Sequence, residues 1–519
     1  MAATTLKEFT LEEVAQHNTP DDLWVVIDAK VYNLSRFKDL HPGGLAVLLD
    51  EEVAGQDATE AFYGLHRHEV LERPQYKRLH IGTIQGQKSV LYDQVAGEIS
   101  QVPYAEPTWL TPGYFSPYYS DNHRGFQKVV RRFVDEVMYD DAQAREEDGK
   151  RPSQHVFDKM AEINMHAMRL GPGKHLQGRT LMGGLVKPEE FDYFHELIIT
   201  QELVRCGQRG YGDAMLGGKV IGLPPVLNFG SEELKAKVVP EVLAGKKFIC
   251  LAISEAMAGS DVMGLQTTAK LTEDGKEWII NGSKKWITNA TFADYFTVGC
   301  KTDDGLTVIL VERGPGVETR QIKTSYSTTA GTAYVTFDDV HVPVGNTLGQ
   351  VGGGIFVILS NFNHERWVMC CSSARCQRSI IDECLKWTSQ RKAFGKPLIS
   401  QPVIRSRIAG MIARTESVQS WLENITYQMT HMTYKQQAEK LAGPIGFLKS
   451  YSTQCAQDTA RDAVQIFGGR GITQTGMGRF IEHYYRTVTF DSLLGGAEDV
   501  LADLGVRQAI RSMPKNARL

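Results

Sequence analysis

Cysteine is scarce in this 519-residue chain, and none of its eight cysteines stands in a CxxC pair. None shares ligand spacing with a histidine either, which argues against a zinc site. Cys370, Cys371 and Cys376 fall in a helical pattern, where small buried side chains are expected. A reducing compartment fits that usage. Charge of one sign is also missing: 57 basic against 61 acidic residues leave a formal charge of -4. That balance and the absence of a basic tail argue against nucleic acid as a partner. No apolar run reaches the roughly 18 to 20 residues of a membrane span. The opening MAATTLKEFTLEEV has neither the apolar core of a secretory signal nor the arginine-rich, acid-poor make-up of a mitochondrial presequence. No internal repeat is apparent.

What is present divides into zones. Residues 6–84 mix a strand-like Trp24-Val-Val-Ile-Asp-Ala-Lys-Val-Tyr-Asn with short helical pieces. Residues 85–118 are rich in Pro, Gly, Tyr and Ser and read as a linker or as an arm wrapping a neighbour. Amphipathic helical segments fill 119–247. β-branched runs punctuated by Asp-Gly and Asn-Gly mark a β domain over 248–350. Helical patterns return over 351–512, and 513–519 form a tail. The predicted class is a multidomain α+β protein.

Chemistry first appears at His41-Pro42-Gly43-Gly44, followed by Gly55-Gln-Asp-Ala-Thr-Glu-Ala-Phe62 and His66. The Pro-Gly-Gly turn fixes how the first imidazole approaches, and a second imidazole across an apolar cleft would complete a bis-histidine site. At these residues Phe9 to Gly82 resembles the cytochrome b5 family. The resemblance implies heme b with His41 and His66 as axial ligands. Extra residues near Asp50 to Val53, and one missing before His66, leave His68 as the other candidate. A b5-like fold that has lost heme or holds a steroid-like ligand is the alternative.

Four further blocks follow in order. They are Ala252-Ile-Ser-Glu-Ala-Met-Ala-Gly-Ser-Asp-Val-Met-Gly264, Asn281-Gly-Ser-Lys-Lys-Trp286-Ile-Thr288-Asn289, Gln390-Arg391-Lys392-Ala393-Phe394-Gly395 and Gln465-Ile-Phe-Gly-Gly-Arg-Gly471. Together they resemble the acyl-CoA dehydrogenase family over roughly residues 120 to 512. The implied fold is a helical domain, a β domain and a C-terminal four-helix bundle. The resemblance implies FAD, with Ser254 and the backbone around it toward its pyrimidine side, Ser260 as a further cofactor contact, Trp286 against the isoalloxazine and Thr288 at the N5 edge. It also implies that Arg391, Phe394, Gln465, Gly468 and Gly469 grip the adenosine pyrophosphate across a subunit interface. A homodimer or homotetramer is therefore expected.

Dehydrogenation of an acyl thioester needs a carboxylate base in a dry pocket. Many family members carry it late, in a Tyr-Glu-Gly-Thr turn. Here that position is Gly495, and Ala497 replaces the threonine. A minority branch, including isovaleryl and long-chain enzymes, supplies the glutamate in a Glu-Arg pair opening the C-terminal helical region. This chain reads Leu359-Ser-Asn-Phe-Asn-His-Glu365-Arg366-Trp there. Glu365 is the predicted base, with Arg366 as a substrate contact and Glu498 and Asp491 as alternatives.

The implied activity is FAD-dependent α,β-dehydrogenation of an acyl-CoA, with electrons passed through the fused heme to an external acceptor. A 30-residue flexible tether would span about 30 Å and let heme reach flavin. Reoxidation by oxygen, a nitroalkane oxidase and a degenerate, non-enzymatic flavoprotein are the other readings. The terminal Ala517-Arg518-Leu519 resembles a peroxisomal address; without it a cytoplasmic setting is expected.

Overall fold

A computed structural model describes residues 7–89, 91 and 95–519. The chain forms two compact units. The first gathers Met1–Val95 with Leu385–Arg405 and Ile466–Glu482; the second comprises Ala96–Cys384, Ser406–Gln465 and His483–Leu519.

In the first unit five strands lie in the order β1-β5-β4-β3-β2: β1 (Lys7–Phe9), β2 (Asn18–Thr19), β3 (Asp22–Ile27), β4 (Lys30–Asn33) and β5 (His80–Ile84). Only β1 and β5 pair in parallel. Alternation along β3 sends Leu23, Val25 and Ile27 into a core with Tyr32, Leu48 and Leu71, and Val26 into a second core with Phe9, Val14 and Ile84. The short helices Thr59–Tyr63 and Glu69–Glu72 flank His66.

The second unit begins with an arm. Glu106 is buried and accepts from Arg131 Nη1 and Nη2 (2.7 and 2.8 Å) and from Arg375 Nη1 (2.6 Å), while Arg131 also grips Glu202. Trp109 is buried against Tyr119. From Ala96 onward the predicted linker is thus fastened to the helices α1 (Asp121–Phe133), α2 (Tyr193–Leu203) and α4 (Phe362–Gln390), and the free 30-residue tether is not what the fold contains.

Helix α3 (Arg209–Phe229) leads towards an eight-stranded sheet of order β11-β12-β8-β7-β9-β10-β13, with β6 added beside β9. Its strands are β6 (Ile249–Ala252), β7 (Thr268–Leu271), β8 (Glu277–Ile287), β9 (Tyr295–Thr302), β10 (Gly305–Glu312), β11 (Val317–Gln321), β12 (Ala333–Pro343) and β13 (Thr347–Leu348). Along β12 buried and exposed residues alternate, with one irregularity between Phe337 and Val340. Gly217 and Gly218 let α3 approach this sheet: a Cβ on Gly217 would meet Thr288 Cγ2 at 2.7 Å, and one on Gly218 would meet the Ile249 carbonyl at 2.2 Å.

The C-terminal helices α4, α5 (Pro402–His431), α6 (Ala442–Phe467) and α7 (Glu498–Arg511) complete the family-type bundle. Trp367, Cys370, Cys371 and Ala374 of α4 pack on Val418, Leu422 and Ile425 of α5 and on Leu448 of α6. All eight cysteines are free; Cys370 and Cys371 are core residues as expected, whereas Cys376 is only partly buried. No described helix is long and apolar enough to cross a membrane.

Candidate functional site

The end of β8 presents a flat aromatic face. Trp286 has φ +62, a region that bulky residues rarely enter, and its ring is half exposed between buried Lys284 and Ile287. Lys285 Nζ sits 4.4 Å above that ring. Asn289, at φ +66, locks the turn. Its Oδ1 accepts from the Gly218 amide (2.7 Å), and its Nδ2 donates to the carbonyls of Ala330 (2.9 Å) and Asp213 (3.3 Å). Thr288 is held half-buried between them.

Ser254 lies in the loop after β6, and its carbonyl accepts from the Lys285 amide at 2.9 Å. Ser260 is exposed further along the same loop. What fixes this loop is a buried pair that the motif reading missed. Glu255 accepts from Lys284 Nζ (2.8 Å), from Thr267 Oγ1 (2.6 Å) and from the amides of Gln266 and Thr267. Burial works against the Glu255 charge, yet Lys284 and these donors hold the carboxyl below its usual range. The signal was available: strict alternation from Trp278 through Ile280 puts Lys284 on the inward side of β8.

Glu365 occupies the first turn of α4. Desolvation raises its pKa above the usual carboxylate range, against the pull of Arg366, His364 and Lys449. The late turn closes over it. Arg366 Nε donates to the Gly495 carbonyl (2.9 Å) and Lys449 Nζ to the Gly496 carbonyl (2.8 Å). Both glycines have positive φ, +62 and +108. A Cβ at Gly495 would lie 3.7 Å from Glu365 Oε1. Arg366 is therefore occupied, at least through Nε, in holding the turn. The two alternatives are otherwise engaged: Asp491 is buried in an ion pair with Arg209, and Glu498 accepts from Thr453 Oγ1 (3.1 Å) and Gln457 Nε2 (3.4 Å).

The predicted pyrophosphate grip is solvent-facing. Arg391, Gln465, Gly468 and Gly469 are exposed, and Phe394 is 95 % exposed at φ +53. Virtual Cβ atoms on Gly468 and Gly469 meet nothing within 4 Å, so another molecule has room to approach the backbone.

In the first unit His41 and His66 face each other with ring centroids 5.9 Å apart. Two imidazoles on opposite sides of one metal, each at about 2 Å, need a spacing of roughly 6 Å. Each Nδ1 is placed against a backbone carbonyl, His41 on Gly44 (3.2 Å) and His66 on Phe62 (3.1 Å). With Nδ1–H donating there, both Nε2 lone pairs are free to ligate. A side chain on Gly43 would collide with His41 Cε1 at 2.8 Å. Leu40, Val47 and Leu65 stand exposed around the pair, and Phe62 stacks on His66. His68 turns elsewhere, with Nδ1 2.9 Å from Tyr63 Oη. These residues fit a heme.

The first unit also joins this domain to the stretches carrying Arg391, Phe394, Gly468 and Gly469. Glu60 pairs with Lys392 (2.8 Å) and Glu69 with Arg479 (3.3 Å), and Arg67 donates to the Met477 carbonyl (3.2 Å).

Comparison with known proteins agrees with this architecture. The family profile for the cytochrome b5-like heme/steroid binding domain matches residues 10–85. Profiles for the acyl-CoA dehydrogenase N-terminal, middle and C-terminal domains match 120–246, 250–340 and 352–510. The acyl-CoA dehydrogenase apdG of Emericella nidulans is 38% identical over 80% of this chain and 96% of its own length. Acyl-CoA dehydrogenase AFT10-1 of Alternaria alternata is 34% identical over 79% and 96%. The mitochondrial isovaleryl-CoA dehydrogenase of Pongo abelii is 28% identical over 70% and 83%. Among solved structures, a putative acyl-CoA dehydrogenase from Mycobacterium smegmatis superposes with TM-score 0.66 at 25% identity, covering 77% of this chain and all of that one. The chain belongs to the acyl-CoA dehydrogenase family, oxidoreductases acting on CH–CH groups, and carries a cytochrome b5-like domain at its N-terminal end.

Proposed function

We propose that this protein oxidises an acyl-CoA thioester to its α,β-enoyl form and sends the two electrons out through its own b-type heme. The observation that supports the first part is the approach of Glu365, a carboxyl whose pKa burial raises, to the Gly495 turn, where a Cβ would lie 3.7 Å from its Oε1. FAD, when bound, supplies the hydride acceptor. The chain's own groups do the rest. Glu365 takes the α-proton as the β-hydride departs, and burial keeps that carboxyl basic enough for the task. Trp286 provides the flat wall, Thr288 the donor at the N5 edge, Ser254 and the backbone around it the pyrimidine side, and Ser260 a further cofactor contact. Arg366 steadies the Gly495 turn and so the floor of the acyl site.

The exposed Arg391, Phe394, Gln465, Gly468 and Gly469 are assigned to the adenosine pyrophosphate of a neighbouring subunit's FAD, which makes the working form a homodimer or homotetramer. An arginine fork and bare glycine backbone are what a pyrophosphate requires.

Heme b, held by His41 and His66, supplies a one-electron outlet to an external acceptor. Support comes from the facing imidazoles and from their domain sharing a unit with the proposed nucleotide grip. Anaerobic stopped-flow mixing of acyl-CoA with the oxidised protein tests it. Flavin bleaching should be followed by the reduced-heme spectrum; flavin bleaching with a heme that stays oxidised would defeat the relay. The Ala517-Arg518-Leu519 end is assigned to peroxisomal targeting, and a fluorescent fusion should leave peroxisomes when those residues are removed.

A further inference from the structure

Arg169 is fully buried at the end of the short helix Met165–Met168, yet none of its three guanidinium nitrogens has a hydrogen-bond partner among the described residues. No other arginine there has all three nitrogens buried and unpartnered. Leaving a buried charged donor unmade is costly, so an acceptor brought to this guanidinium would be strongly favoured. Glu196, whose charge acts on Arg169, is turned to His364, whose Nε2 lies 2.8 and 2.9 Å from its two oxygens.

The position is not remote from the chemistry. A Cβ on Gly171, two residues on, would lie 3.1 Å from Glu196 Oε2 and 3.6 Å from His364 Nε2, and His364 adjoins Glu365. On the other side stands Lys219, two residues from Gly217 and hence within a turn of Thr288. Its ammonium donates to His166 Nδ1, since His166 Nε2 is spent on the Phe157 carbonyl (2.9 Å). Lys219 and His166 line a cavity with Phe157, Met215, Phe248 and Asn289. Burial and the nearby Arg169 charge push the Lys219 pKa down to about 7, the mark of cationic groups gathered without enough anion.

We propose that Arg169, backed by Lys219, forms an anion-binding end of the acyl site, and that the acyl chain this protein takes carries a carboxylate at its far end. This rests on the acyl-thioester reading of the site. The guanidinium fork matches a carboxylate with two parallel N–H···O bonds, which a methyl-ended chain cannot offer.

The test compares glutaryl-, adipyl- and suberyl-CoA with pentanoyl-, hexanoyl- and octanoyl-CoA as flavin reductants, in the parent and in Arg169→Met and Arg169→Lys. The parent should favour the carboxylate-ended partner of at least one pair by about tenfold or more in kcat/KM. Arg169→Met should cut that ratio by about tenfold or more, and Arg169→Lys should restore part of it. A ratio unchanged in Arg169→Met, or a parent that prefers the methyl-ended chains, overturns the proposal. Melting with free glutarate, adipate and suberate supplies a readout that needs no turnover. These should raise the melting temperature of the parent and not of Arg169→Met; equal effects in both, or none in the parent, again overturn it. Arg169-dependent protection without flavin reduction by any thioester would instead keep the anion site and discard the dehydrogenase reading.

Discussion

A Cβ built on Gly495 would stand 3.7 Å from Oε1 of Glu365 and 2.9 Å from Sδ of Met369. Two positions 130 residues apart thus share one place in the fold. The late turn carries no side chain at the point where the glutamate of α4 comes close to it.

Gly495→Ala tests that sharing. At φ +62 a Cβ costs about 1–2 kcal/mol of backbone strain, and it presses on Met369 beside Glu365. The variant should keep its FAD and lose about tenfold or more in kcat for flavin reduction. Parent-like kcat with retained FAD would mean that the turn does not frame the base.

Burial of Glu365 fixes the sign of two pH effects. Because its pKa is raised, kcat/KM should rise with pH through an apparent value above that of a free glutamate, then level off. For stability, the folded state binds this proton more tightly than the unfolded chain. Its contribution is therefore most favourable below the unfolded value and declines as pH rises towards the folded one. Glu365→Gln should melt above the parent at neutral pH, with the gap closing in acid. Equal melting temperatures at both pH values would show that the carboxyl is not desolvated.

The heme assignment separates three histidines. Oxidised and reduced absorbance spectra of purified His41→Ala and His66→Ala should lack the low-spin, six-coordinate form, whereas His68→Ala, whose imidazole meets Tyr63 and Glu72, should retain it. A low-spin spectrum surviving in His66→Ala would move the second ligand elsewhere.

The arm gives a stability prediction. Glu106→Gln leaves Arg131 and Arg375 buried with one partner charge fewer and should cost about 3–5 kcal/mol. Burial opposes the Glu106 charge, but the two arginines outweigh it and hold the carboxyl well below its usual range. Its contribution is accordingly complete above the unfolded carboxylate value and is lost only as pH falls below that range. Thermal melts of parent and variant between neutral and acid pH should converge at the acid end; a constant gap would contradict the ionic account.

Short motifs were the legible part of the site. His41-Pro-Gly-Gly shapes its own turn, so a ligand assignment followed from a few adjacent residues. Trp286 and Thr288 likewise belong to one strand end. Tertiary closure decided what remained hidden. The Glu106 cluster joins positions up to 269 apart, and nothing local marks a glutamate in a Pro- and Tyr-rich stretch as the partner of two arginines. Spacing alone does not separate His66 from His68; in the fold their Nδ1 atoms meet different partners, the Phe62 carbonyl and the Tyr63 hydroxyl. Lys284 lies between these cases: its inward phase on β8 is readable, its carboxylate partner is not.

The identity of the base is the central claim, and anaerobic reduction of bound flavin by an acyl-CoA measures it most directly. Glu365→Gln should retain FAD and reduce it at least about 10²-fold more slowly than the parent, since the α-proton then has no acceptor. Flavin reduction by the variant at near the parent rate would contradict the assignment and return the question to Asp491 and Glu498.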